Sequence, residues 1–188
     1  AVTGVVLQRY RGVSVPQVFL LLAVLNAAVA VYLMVLVPEF FMRFIAWIYM
    51  RVMYRAEVHG VEANVPDEGP ALLVCNHVSY MDPIILSSTI PRPISFVMYY
   101  KIVNTPGLSW VFKAARAIPI AGKHEDSELM QRAFEEVDKA LAEGELVCIF
   151  PEGSLTKDGQ ISTFKSGLER ILERRAVPVV PMAIQGMW

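Results

Sequence analysis

From residue 18 to residue 37 the chain runs for twenty residues without a charge, broken by polarity only at Asn26 and Tyr32. Twenty helical residues reach about 30 Å, the thickness of a bilayer's hydrocarbon core. A secretory signal would carry a shorter apolar core and a small-residue cleavage site, and none follows Val37. The run therefore predicts a membrane-embedded helix. Pro38-Glu39 ends it. Residues 40–55 then mix Phe40, Phe41, Phe44, Trp47, Tyr49 and Tyr54 with Arg43, Arg51 and Arg55. Aromatic residues among arginines suit the lipid headgroup zone. The alternative is a core helix with exposed arginines. The apolar fraction of the chain, 55%, is high for a water-soluble domain, and the excess sits in this first segment. Residues 1–55 are expected to be N-terminal membrane-anchoring helices.

Past residue 55 the texture changes to short apolar runs separated by turn residues and helical stretches. Strands are expected at 56–59, 71–75, 94–98, 117–120, 146–150 and 177–184. Helices are expected at 84–90, 106–115, 125–143 and 164–174, the third with Met130, Phe134, Val137 and Leu141 at helical spacing and Gly144 as its stop. Alternating strands and helices argue for an α/β fold, a mixed sheet flanked by helices, over 56–188. The chain opens on Ala1 rather than Met and ends at Trp188 beside a predicted strand. Both ends are expected to be cuts in a longer polypeptide, with this domain truncated at its C-terminus.

A net charge of −1 gives no basic field for nucleic acid. Cys75 and Cys148 both fall in predicted buried strands, with no disulfide framework and no metal-ligand spacing, which fits a reducing compartment. There is no Gly-rich phosphate loop, no nucleophile elbow and no internal repeat.

Asn76-His77-Val78-Ser79-Tyr80-Met81-Asp82-Pro83 follows the apolar run 71–75. Asp82 reads as a helix N-cap and Pro83 as the first helical residue. A loop curling back lets the Asp82 carboxylate reach the His77 imidazole. That contact would fix the tautomer and leave the other ring nitrogen free to take a proton. The plainer alternative is a loop histidine beside a cap, and these eight residues alone leave both open. His77 and Glu152 each directly follow a predicted strand, where α/β sheets place their chemistry.

Asn-His-x-Ser-x-x-Asp at 76–82, Phe-Pro-Glu-Gly at 150–153 and Val-Pro-x-Val-Pro at 177–181 occur in that order. The set resembles the glycerolipid/lysophospholipid acyltransferase (PlsC-like) family over residues 54–186. The resemblance implies direct transfer of a fatty acyl group from acyl-CoA or acyl-carrier protein (acyl-ACP) to a hydroxyl of a lysophospholipid, of the 1-acylglycerol-3-phosphate or lysophosphatidylethanolamine type. It implies His77 as general base, Asp82 as its partner, and Glu152 in the acceptor site, holding a glycerol hydroxyl or the local loop. Gly153 would permit close approach of the acceptor, with Ser154 beside it. Asn76 would orient the loop or donate to the site, and Ser79 would brace the loop. A thioester is already activated, so no covalent serine is required. No metal and no cofactor are implied, and the catalytic domain would face the cytoplasm at a membrane.

The resemblance also has a departure. The family's usual arginine two residues after the motif glycine is Leu155 here. Residues 156–160 and 164–170 are closer to bacterial fusions of the 2-acylglycerophosphoethanolamine acyltransferase/acyl-ACP synthetase type, which leaves a phosphodiester lysolipid open. Arg116, Lys123 and Lys157, with Lys165 as a further substitute, are candidates for the acceptor's phosphate; each also reads as a solvated surface charge. The rival readings are a catalytically silent lipid-binding or scaffold domain, and a thioesterase-like hydrolase using the same base on water.

Overall fold

The computed structural model describes residues 14–36, 38–122 and 124–186. Contacts divide the chain into two compact units, Ala1–Phe41 and Met42–Trp188.

The first unit is built on helix α1 (Val15–Leu36). The Ser14 N–H donates to Gln17 Oε1 at 2.7 Å, closing the first turn. Residues Val15–Met34 are long and apolar enough to cross a bilayer, and none of that stretch is buried. Asn26 is the amide in its middle, and Nδ2 donates to the Leu22 carbonyl at 2.7 Å. That bond returns a polar group to the helix's own backbone, so it costs less in an apolar setting. Helix α2 (Pro38–Met53) follows. In its second-unit part Met50 is buried, while Phe44, Ile45, Trp47 and Ile48 are exposed. Arg43 was expected among lipid headgroups, but its guanidinium donates to the Ile90 carbonyl.

The second unit is a three-layer α/β structure. After α3 (Val61–Asn64), its elements run β1 (Ala71–Cys75), α4 (Asp82–Thr89), β2 (Ile94–Tyr99), α5 (Tyr100–Val103) and α6 (Ser109–Ala114). Then come β3 (Ile118–Ile120), α7 (Ser127–Ala142), β4 (Leu146–Ile149), α8 (Gly167–Arg174) and β5 (Val179–Met182). The strand order is β3-β2-β4-β1-β5. All four pairings among the described residues are parallel. The α/β class therefore holds, and the sheet expected to be mixed is parallel throughout.

A parallel sheet covered on both faces needs strands that are apolar at every position. In β1, Leu73 and Cys75 pack on one face with Leu86, Ile90, Phe96 and Val180. Leu72 and Val74 pack on the other with Phe134, Val137, Leu141 and Ile171. Helix α4 thus covers one face, and α7 and α8 the other. Helix α7 is capped at both ends. The Asp126 side chain accepts from the Leu129 N–H at 2.8 Å, and Gly144 leaves the helix with φ +83°.

Residues 56–59, expected to be a strand, form no strand and carry an exposed Val58. The helix expected from 164 begins at Gly167, because the Lys165 N–H is committed to the Pro151 carbonyl at 2.8 Å. Strand β5 lies at a sheet edge and contains Pro181, which has no N–H to offer a ladder.

Candidate active site

Strands β1 and β4 are neighbours, but their connections leave toward opposite faces. Beyond β1 the chain enters α4 on one face; beyond β4 it reaches α8 on the other. Such a divergence opens a crevice at the carboxyl ends of the strands. His77 and Glu152 sit in it.

Asp82 is completely buried. Its Oδ2 lies 2.8 Å from His77 Nδ1 and accepts the backbone N–H groups of Val78 at 2.8 Å and Ser79 at 3.0 Å. Oδ1 is buried without a hydrogen-bond partner. Every bond of the carboxylate therefore converges on one oxygen, the one facing the imidazole. Asp82 was expected as the N-cap of α4. It stands instead at the first helical position, Met81 is the cap residue, and the carboxylate turns back to the loop. With Nδ1 engaged, Nε2 carries the ring's free valence, and His77 lines the cavity described below. Among the described residues Nε2 has no hydrogen-bond partner. The ring stacks on Phe150, with centroids 4.1 Å apart and planes 20° from parallel.

Glu152 is only 3% exposed, yet it is a carboxylate with both oxygens occupied. Oε1 accepts the His77 backbone N–H at 2.9 Å, and Oε2 accepts the Ser162 N–H at 2.8 Å. The His77 carbonyl in turn accepts the Thr156 N–H at 2.9 Å. Both main-chain groups of His77 are thus held by the segment after β4, whose ends meet where Lys165 N–H reaches Pro151 O. Of the two expectations for Glu152, hydroxyl or local loop, the contacts are with the loop.

Gly153 has φ +65°, and a Cβ there would stand 2.6 Å from Lys165 Nζ and 2.9 Å from its Cδ. The space a side chain would need is filled by the lysine crossing it, so close backbone approach here serves Lys165. Asn76 is spent on structure: its amide pairs with both main-chain groups of Ile184, at 2.8 and 3.0 Å. Ser79 Oγ accepts the Met81 N–H at 3.2 Å, which braces the turn.

A cavity of about 670 Å³ opens beside the imidazole. His77, Phe150, Gly153, Ser154 and Leu155 form one side, and Met98, Ile120, Met130 and Phe134 give it an apolar wall. Lys165 and Arg170 are its lysine and arginine among the described residues. The Arg170 guanidinium lies over the Phe134 ring at 4.7 Å. Lys165 Nζ touches the Gly153 carbonyl at 3.4 Å and has no carboxylate partner among the described residues. On the opposite wall, the Tyr99 hydroxyl donates to Glu125 Oε1 at 2.7 Å and holds that carboxyl below its ordinary range.

Not all the candidate cations reach this cavity. Arg116 precedes β3 and pairs with Glu145, which precedes β4. That is the amino end of the sheet, away from His77. Lys157 is exposed and does not line the cavity. Lys123 lies outside the described residues. Thr156 and Ser162 were not singled out from the sequence, and Phe150 entered only as the first residue of its motif. Their roles arise from a loop closing on itself, which has no periodic signal. Burial pushes the Cys75 thiol up to about 12 and Cys148 well above its ordinary value, so both behave as small apolar residues. Among the described residues no three His, Cys, Asp or Glu side chains gather as a metal site.

Residues 55–185 match the family model described as Acyltransferase. The chain is similar to "1-acyl-sn-glycerol-3-phosphate acyltransferase BAT2, chloroplastic" of Brassica napus, with 28% identity over 95% of this chain and 54% of that protein. It is also similar to a 1-acyl-sn-glycerol-3-phosphate acyltransferase of Pseudomonas aeruginosa, with 30% identity over 75% of this chain and 54% of that protein. The chain thus spans about half the length of these curated relatives. Among solved structures it resembles the 1-acyl-sn-glycerophosphate (LPA) acyltransferase PlsC from Thermotoga maritima. The TM-score is 0.52 with 26% identity, over 65% of this chain and 47% of that one.

Proposed function

The chain belongs to the Acyltransferase family, and on that premise we propose that it transfers a fatty acyl group from a thioester donor to the free hydroxyl of a lysophospholipid of the 1-acylglycerol-3-phosphate type. The observation that carries this reading is the His77 imidazole, anchored through Nδ1 by a buried Asp82 and open through Nε2 beside a largely apolar cavity. The acceptor hydroxyl gives its proton to Nε2 as its oxygen bonds to the thioester carbonyl carbon. The tetrahedral adduct then collapses, the carbon–sulfur bond breaks, and the leaving thiolate takes the proton back from the imidazolium. Asp82, bound to Nδ1, stabilises the imidazolium. The donor is acyl-CoA or acyl-ACP, and no prosthetic group enters the reaction. Lys165, a cavity cation without a carboxylate partner among the described residues, meets the acceptor's phosphate. A phosphodiester head group as in lysophosphatidylethanolamine also presents anionic phosphate oxygens, with one fewer non-bridging oxygen and less negative charge. With these donors the site faces the cytoplasm, and the chain works at a membrane.

The test is turnover of labelled lysolipid by the parent protein and His77→Ala. Loss of a general base lowers kcat by about 10²–10⁴. Equal rates would refute His77 as the base. Free fatty acid in place of diacyl product, whether or not acceptor is present, would identify a hydrolase instead.

A further inference from the structure

The geometry points to a second head-group subsite in the His77 cavity, where Glu125 and Tyr99 take the ammonium of an amino-alcohol phosphodiester such as phosphoethanolamine. The strands are parallel, so their carboxyl ends form one row in the order β3-β2-β4-β1-β5. From β1 toward β3 that row presents four groups. The His77 imidazole comes just after β1, and the Lys165 ammonium lies against the Gly153 carbonyl, just after β4. Tyr99 ends β2, and Glu125 stands beyond β3. All four side chains line the same cavity. A lysolipid with this head group carries its groups in the same sequence: the hydroxyl to be acylated, a phosphate anion, then an ammonium. Strand β3 lies three places from β1, about 14 Å at the usual strand spacing. From acceptor oxygen to ammonium nitrogen the extended head group covers about 9 Å at the reach per bond of an extended chain. The inward reach of an imidazole and a glutamate closes the difference.

Glu125 is suited to a cation. Its Oε1 accepts the Tyr99 hydroxyl at 2.7 Å, which holds the carboxyl below its ordinary range and so charged at neutral pH. Among the described residues Oε2 has one polar partner, the Gly122 N–H at a long 3.4 Å, which leaves it open to a donor. An ammonium is already drawn to this spot. Lys101 Nζ reaches Glu125 Oε1 at 3.4 Å and lies over the Tyr99 and Tyr100 rings at 5.4 and 5.6 Å. A carboxylate beside aromatic rings is the pairing that holds ammonium groups. Lys101 does not line the cavity, and both members of its ion pair are well exposed. Such a pair is weak and yields to a second ammonium arriving from the cavity side. A bare phosphate monoester offers Glu125 nothing and is repelled by it, whereas an ammonium makes the same wall attractive. The inference rests on the acyltransferase reading for the lipid acceptor and extends that acceptor to a zwitterionic head group.

The experiment measures kcat/KM of the full chain and of Glu125→Gln on lysophosphatidylethanolamine, its N-acetyl derivative and lysophosphatidate. Each acceptor is supplied as both acyl-position isomers, with CoA and carrier-protein donors in parallel. Glutamine keeps the side chain's size and an oxygen for the Tyr99 hydroxyl, and N-acetylation removes the ammonium. The parent should prefer the free amine over its N-acetyl form by tenfold or more, and Glu125→Gln by less than twofold. Lysophosphatidate should gain rather than lose in Glu125→Gln, because a like charge leaves the wall. Lys101→Met, which frees Glu125 from its internal cation, should keep or raise the parent's preference. A parent without the preference, or a preference that survives in Glu125→Gln, overturns the proposal. A preference that falls in Lys101→Met, or an equal loss on all three acceptors in Glu125→Gln, overturns it too. A parent that acylates lysophosphatidate and leaves lysophosphatidylethanolamine untouched also overturns it, while the acyltransferase reading stands. If no acceptor is acylated, the acyltransferase reading fails, and the subsite is judged by calorimetric binding of short-chain lysophosphatidylethanolamine and its N-acetyl form. The same tenfold preference, lost in Glu125→Gln, then supports the subsite, and equal affinities overturn it.

Discussion

At the scale of single residues, the site is organised around what holds His77 as much as around what His77 does. Glu152 touches the histidine only through its backbone, so it is a positioning residue. Glu152→Gln keeps the shape but places an N–H₂ against one of two N–H donors. We expect kcat to fall about 10- to 100-fold through misplacement of the base, with acceptor KM within twofold of the parent; a rise in KM at constant kcat would instead make Glu152 an acceptor ligand. Gly153→Ala tests the neighbouring position. Alanine pays about 1–2 kcal/mol for left-handed backbone, and its Cβ displaces the Lys165 ammonium. The expected signature is a several-fold rise in acceptor KM, matched by Lys165→Ala; steady-state kinetics on lysophosphatidate reads both. The His77–Asp82 pairing was one of two readings that residues 76–83 left open in the sequence, and the 2.8 Å contact decides between them. The work of Glu152 was not legible, since a turn carboxylate looks the same whether it meets a substrate or two amides.

At the scale of elements, strands and helices with strong local signals were legible and the joins were not. Helix α7 has both an apolar face and caps, and it spans Ser127–Ala142 within the expected 125–143. Asp126→Ala removes the acceptor for the Leu129 N–H and should cost about 1 kcal/mol of unfolding free energy. Denaturant melts should show that loss while kcat stays unchanged, because Asp126 does not line the cavity. The segment 56–59 was misread because a Val among polar neighbours imitates strand alternation. The direction of pairing was beyond reach, since parallel and mixed sheets buried on both faces share continuous apolar runs such as 71–75. Arg116 was placed near the site by its motif neighbourhood, but it precedes its strand and so falls at the wrong end of the sheet.

At the scale of the whole molecule, the chain combines a helix with no buried face and a unit with two packed faces. Leu25→Lys in the middle of α1 should disfavour membrane insertion by about 3 kcal/mol. Alkaline extraction of membranes from expressing cells should move the variant from pellet to supernatant; full retention would show that α1 is not what holds the chain there. The length of the apolar run was evident from residue count alone, whereas the place of Lys165 in the cavity depended on a loop that the count does not describe. The reciprocal bonds between the histidine's main chain and the stretch from Pro151 to Lys165 have a consequence for redesign. Transplanting head-group preference from a relative cannot proceed one side chain at a time. That stretch and the turn at 76–82 form an indivisible cassette, and a chimera whose junction splits them would inherit a mistimed base along with its new selectivity.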